Sequence, residues 1–460
     1  MDNPNLWSLR LGFSGRQAET IRKNGINIFL KDSFLQQADG QLPAFLKDQP
    51  KTPVEVKAFR DNIKKGGDNT KILEEVVKTS YDLKAWWLEK MRTDSYPLRE
   101  KMVLFWHNHY VSTIQKVRVN YWIYNHNQIL RENAFGNFRE ITKKILKTNA
   151  MVVYLDNTEN KRDNLNENLS RELLELFTLG VGHYNESDVK NGAKALAGLS
   201  IGADGPQYSQ KKRVIEPFTF MGKTGKFDVD DIVDIIFQQK NAPYFITRKL
   251  LKWFIYDNPP ENLVAYYGDY LREQNYEIEP LLTKIITEEF DKKTAGSKIK
   301  DPLVYLFQLL NELGMQNPNN KLVGLYLRNQ GMDLFNQPNV KGWDGGKSWI
   351  TAYLFLQRNN LVDQLCKGKN FNSKPLKSIN ADNEVVSETF NAQLRWRKKG
   401  TNKDVIAELK NRLLFNVDDD MQKDFENILK YDFDPEGASA ANGVMRLFNF
   451  MVKTPEFQII

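Results

Sequence analysis

Leu165-Asn166-Glu167-Asn168-Leu169-Ser170-Arg171-Glu172-Leu173-Leu174-Glu175-Leu176-Phe177-Thr178-Leu179-Gly180 returns a large apolar residue every three or four positions and then meets glycine. Leu165, Leu169, Leu173 and Leu176 fall on one face of a helix, and Gly180 with Gly182 supplies the stop. The polar side carries Glu167 and Arg171 at i, i+4, the spacing of an ion pair on a helix surface. The stretch predicts a helix that buries its leucines, and its texture recurs along the chain.

Upstream, Val103, Trp106 and Tyr110 keep the same period in a segment opened by Pro97, which a first helical turn tolerates. Downstream, Asn185 with Asp188, and Asp228 with Asp231, have the spacing of an N-cap and an acidic third residue. They precede Val189, Ala193 and Leu196 in one case and Ile232-Val233-Asp234-Ile235-Ile236 in the other. Helical spacing returns from Val444 to Phe457, so the chain end is expected to pack back onto the body. Long alternating β-branched runs are scarce. The pattern predicts an all-α protein, residues 1–460 forming one large multi-helix globular domain with long irregular loops and little sheet. Two stretches break the texture and are read as loop insertions, about 200–226 and about 367–403.

The chain has 65 basic and 58 acidic side chains, a net charge of +7. This small excess over a mixed surface gives little support for nucleic acid as a partner, and Lys211-Lys212-Arg213 and Arg395-Trp396-Arg397-Lys398-Lys399 read as solvated loops. No run of about 18 apolar residues exists, so no transmembrane segment is expected. Met1-Asp2-Asn3-Pro4-Asn5-Leu6-Trp7 lacks the basic opening and apolar core of a signal peptide, which predicts a cytoplasmic chain as written. The single cysteine, Cys366, rules out an intrachain disulfide and a cysteine-based zinc cage.

All four histidines lie between His107 and His183, two of them in Trp106-His107-Asn108-His109-Tyr110. Histidine titrates near neutrality and is the commonest metal ligand, so this grouping marks a place for chemistry. On a helix His107 and His109 point about 200° apart, and the i, i+4 pair that would share one ion is missing. A metal site would therefore recruit a ligand from elsewhere, with Glu167 the candidate. His107, His109, Glu167, Arg171 and Glu172 are the candidate catalytic residues. Trp106, Asn108, Asn166, His183, Lys341 and Trp343 are the candidates for holding substrate. His107, His109 and Glu167 are the candidate ligands of a divalent metal ion, the candidate cofactor. His126 shares an apolar stripe with Trp122, Ile123, Ile129 and Leu130 and reads as a core histidine. Gly222-Lys223-Thr224 lacks the earlier glycine of a phosphate loop, because Pro217 stands there.

Phe105 to Tyr110, Asn166 to Gly180, Phe220 to Gly225, Pro338 to Trp343 and Thr454 to Gln458 stand in this order after an opening Leu9-Arg10-Leu11-Gly12-Phe13. Over nearly its whole length the chain resembles a large bacterial family catalogued as domain of unknown function 1800. The resemblance implies a helical fold and makes His107–His109 and Glu167–Glu172 the hallmark segments. It also implies relatives that are exported and encoded beside a sulfatase-like or phosphatase-like family, a candidate protein partner. Where relatives carry a His-Asp pair before the Gly222 turn, this chain reads Lys212-Arg213-Val214-Ile215-Glu216-Pro217, which implies an altered activity.

Two functional classes fit these residues. One is a hydrolase-like enzyme with a metal-assisted His/Glu/Arg centre, which requires a solvent-reached cavity joining those groups. The other is a non-catalytic helical binding or export-accessory protein, which requires dry, mutually satisfied packing.

Overall fold

Helix starts in this protein are set by local side-chain acceptors. Asn185 accepts from the Asp188 N–H and Asp188 returns the bond, and Asp228 and Asp231 do the same, so both expected capping boxes form. Gly180 and Gly182 adopt φ of 86° and 87°, the left-handed conformation in which glycine pays no Cβ clash. The computed structural model describes residues 1–65, 69–371 and 389–460. Among them are 22 α-helices and two small antiparallel sheets of two strands each, so the fold is all-α. No helix among the described residues is long and apolar enough to cross a membrane.

The expected loop at 200–226 is in fact two short hairpins. Strand β1 (Leu199–Ser200) pairs with β2 (Gln207–Tyr208), and β3 (Phe218–Phe220) pairs with β4 (Lys223–Gly225). Met221 and Gly222 both have positive φ, 46° and 81°, the twist of a two-residue hairpin turn. Gly222-Lys223-Thr224 therefore enters a strand rather than a phosphate-binding helix. The second expected insertion begins as the Ala352–Cys366 helix ends, and residues 372–388 within it lie outside the described ones. Its two ends are tied where Phe390 N–H donates to Gly368 O at 2.8 Å. Phe390, Ala392, Leu394 and Trp396 then alternate inward against the core.

The buried apolar side chains form one continuous cluster from Leu6 to Ile460. The C-terminal segment does pack back, with a boundary different from the expected one: the helix spans Ala440–Met451, and Pro455–Gln458 forms a separate short turn. Lys298 and Ile460 exchange backbone hydrogen bonds at 3.0 and 2.8 Å. Arg358, fully buried, donates to Gln458 Oε1 at 2.9 Å and to Lys300 O at 3.2 Å. The last residues thus fix the backbone on both sides of Lys298 and Lys300.

The opening stretch of the sequence departs from its simple reading. Leu165 to Glu167 precede the helix, which starts at Asn168 and changes after one turn into a π-helix over Leu173–Thr178. The wider π turn shifts the buried face, so Leu174 and Phe177 go inward while Leu176 stays partly exposed.

Candidate functional site

The Leu98–His109 helix carries both hallmark histidines and sends them apart, as their spacing predicts. His107 is fully buried against Trp87, Phe335 and His126. Its Nε2 lies 3.1 Å from Ser112 O, which can only accept, so Nε2 carries the proton and Nδ1 faces Asn127 Nδ2 at 3.5 Å. His126 is the expected core histidine, with Nε2 on Tyr110 O at 2.9 Å and Nδ1 on Thr148 Oγ1 at 3.1 Å. Behind them Arg131 holds Glu100 through two bonds of 2.6 and 2.9 Å, donates to Asn127 and Gln128, and shares Glu100 with Trp87 Nε1. Burial holds the imidazoles of His107 and His126 below their usual range, His126 at about 4, so both are neutral. This half of the helix is dry core. Trp106, expected to hold substrate, is also core but on the His109 face, stacked on Tyr110 and Phe138 and edge-on to His109, with its Nε1 bonded to Ala134 O at 2.9 Å.

His109 faces the other way. Its Nε2 donates to Phe177 O at 3.0 Å, which fixes Nδ1 as an acceptor, and Lys249 Nζ lies 3.1 Å from Nδ1. Lys249 also donates to Leu176 O at 2.9 Å. The π turn explains both carbonyls. Leu179 N–H bonds back to Leu174 O, the helix ends at Thr178, and the Leu176 and Phe177 carbonyls are left for these two side chains to satisfy.

His109 and Lys249 line a cavity of about 200 Å³ together with Asn108, Lys252, Trp253, Asp257, Lys298, Asp301, Lys341, Trp343 and Trp349. Lys249, Lys252 and Trp253 come from one face of the Ala242–Phe254 helix, at i, i+3 and i+4. Lys341 and Trp343 come from a loop clamped onto the histidine helix: Trp343 N–H donates to Asn108 Oδ1 at 2.8 Å. Gly342 stands between them at φ 83°, and a Cβ there would collide with the Asn108 amide and carbonyl. Glycine is required at this crossing.

The cavity's electrostatics are unusual for so enclosed a place. Burial, assisted by the charge of Lys252, pulls the Lys249 amine down to about 7, and no carboxylate among the described residues pairs with it. Lys298 is pulled down to about 8 by burial, against the opposing charges of Asp257, 3.6 Å away, and Asp301. Burial and then the Lys249 charge hold His109 well below the usual imidazole range, so it is neutral. Trp253 Nε1, Trp343 Nε1 and Asp257 Oδ1, all on cavity-lining residues, have no hydrogen-bond partner.

The remaining candidates are not brought here. Arg171 pairs with Glu167 at 3.1 Å and Glu186 at 2.8 Å near the surface, the ordinary ion pair that i, i+4 spacing suggests. Asn166 caps: its Oδ1 accepts from Asn168 N–H at 3.0 Å and its own N–H bonds Asn160 Oδ1 at 3.1 Å. His183 is exposed on the turn beyond Gly182. Glu172 is half-buried and does not line the cavity, its carboxyl raised by burial and by Glu175 while Lys341 opposes the shift. The candidate metal ligands do not converge. Both His109 nitrogens are engaged, His107 points into the core, Glu167 holds Arg171, and no group of three His, Cys, Asp or Glu side chains among the described residues could hold an ion. The donor geometry among the described residues gives the metal expectation no support.

Lys249, Lys252, Trp253, Asp257 and Lys298 were not anticipated from the sequence. Their only signal was Lys249 and Lys252 one turn apart between the apolar residues Ile246, Leu250, Leu251 and Phe254, which also fits a solvated helix face. No curated protein and no solved structure matches this chain. The sequence model of the family described as "Protein of unknown function (DUF1800)" matches residues 6–459, nearly the whole length, and the chain belongs to that family.

Proposed function

We propose that the His109–Lys249 cavity is the active site of an enzyme acting on a small anionic substrate. The observation that carries this reading is Lys249: an enclosed amine on a cavity wall, with two neutral acceptors and no counter-ion. An unpaired buried cation is costly, and a bound anion is the partner that lowers that cost. Lys252, Lys298 and Lys341 line the same space with Asp257, Asp301 and Asp344, so with Lys249 the lysines outnumber the carboxylates, while Trp343 and Trp349, with ring centroids 6.4 Å apart, give it apolar walls. An amine near 7 is poised to take or give a proton at neutral pH, and His109 fixes its position. In this reading His109 with Lys249 replaces the metal-assisted His/Glu/Arg centre. Residues 1–460 as one domain accord with the continuous core.

The test is thermal unfolding of the untagged protein with oxalate and with inorganic phosphate. Saturable stabilisation of the wild type, lost in Lys298→Met and Lys252→Met, is expected. Absence of stabilisation by either anion, or stabilisation unchanged in both variants, overturns the assignment.

A further inference from the structure

Lys249 Nζ has two polar partners, Leu176 O at 2.9 Å and His109 Nδ1 at 3.1 Å. Both are acceptors, the second because His109 Nε2 gives its proton to Phe177 O. A neutral amine has two N–H groups and one lone pair. These two bonds use both hydrogens of the neutral amine, and its lone pair accepts from no polar group; the Phe245 ring centroid lies 4.7 Å from Nζ, and the residue lines the cavity. Lys298 differs: it donates to Lys252 O at 2.9 Å and sits 3.6 Å from Asp257, so a carboxylate favours its ammonium form. One lysine of the cavity is arranged as a nucleophile and the other as a cation.

Resting on the anion site argued above, we propose that Lys249 forms an imine with the aldehyde or ketone carbon of a small carboxylate, a 2-oxo acid. The Nζ lone pair adds to the carbonyl carbon, forming the C–N bond as the C=O π bond breaks. A proton moves from nitrogen to the alkoxide oxygen to give a carbinolamine. The C–O bond then breaks, the hydroxyl leaving with a second nitrogen proton as water, and C=N forms. Amine plus carbonyl gives imine plus water, with no oxidant or reductant. The roles of the other groups follow from their chemistry. The lysine ammonium groups attract the carboxylate, and the side chains of Trp253 and Trp343 form the wall against which the carbonyl carbon meets Nζ.

The experiment incubates the full chain with glyoxylate and sodium cyanoborohydride and maps carboxymethyl-lysine by peptide mass spectrometry. At pH 7 Lys249 is expected to react on the order of a hundredfold faster than exposed lysines, of which under about one in a thousand is neutral there. Its rate should saturate with glyoxylate, rise as pH passes through about 7, and fall when oxalate, which cannot form an imine, is added. Lys249→Met should remove the fast site and leave surface labelling unchanged. Thermal stabilisation by glyoxylate and oxalate with no preferential labelling of Lys249 would overturn imine formation and leave the anion site standing. Neither stabilisation nor preferential labelling would overturn both.

Discussion

His107 and His109 leave the same helix two residues apart, both buried, and end in opposite kinds of surroundings. Around His107 most polar groups satisfy one another, Ser112 Oγ and Gln337 Oε1 excepted: Glu100 with Arg131 and Trp87, Arg131 with Asn127 and Gln128, His126 with Tyr110 and Thr148. Around His109 the balance is left open at Lys249, an amine with no carboxylate partner that lines a cavity. A closed network holds a fold together; an open one leaves interactions for a ligand to complete. Burial and residue type are the same for both histidines, so only their partners distinguish architecture from a site.

The largest effect should come from breaking the closed side. Arg131→Met leaves Glu100 charged and buried without its partner, and chemical denaturation should show a loss of about 3–5 kcal/mol. A loss near zero would mean that this network is not the structural half of the pair.

The open side should reveal itself through pH. Lys249 is lowered to about 7 when folded, so the unfolded chain binds more protons between pH 7 and the ordinary lysine range. Its contribution to stability therefore rises with pH across that window, by roughly 4 kcal/mol at most. Lys249→Met should flatten this rise in denaturation curves taken from pH 7 to 10, and an unchanged slope would contradict the enclosed amine.

The clamp between the two regions comes next. Gly342→Ala places a Cβ against Asn108 at a positive φ, so the Lys341–Trp343 loop must move, at a cost of about 1–3 kcal/mol. Tryptophan fluorescence should shift and stabilisation by oxalate should weaken more than stability falls.

The smallest effect belongs to the hallmark arginine. Arg171→Ala removes a surface pair with Glu167 and Glu186, and the unfolding midpoint and oxalate stabilisation should both stay as in the wild type. Loss of anion binding in this variant would return Arg171 to the site.

Much of the site was legible as place but not as composition. His109, Asn108, Lys341 and Trp343 were singled out by histidine grouping and by the Gly-Trp turn, and all four line the cavity. His107 had the same local signal and went into the core because a helix sends residues two apart to different sides; Trp106, on the His109 face, went there because Tyr110 and Phe138 enclose it. Glu167 with Arg171 read equally as ion pair and as site, since i, i+4 spacing serves either. The π turn was hidden because leucine follows leucine at 173 and 174, so one extra residue in the turn leaves an apolar face in either register.

By itself the sequence determined the all-α class, the capping boxes at Asn185 and Asp228, the glycine stop at Gly180, and the divergence of His107 from His109. Each of these is governed by interactions within a few residues of chain. Only the tertiary structure decided that Lys249 meets His109 across 140 positions, and that the C-terminal residues fix the backbone beside Lys298. The desolvation that lowers the Lys249 amine depends on which helices surround it, and no local pattern records that enclosure.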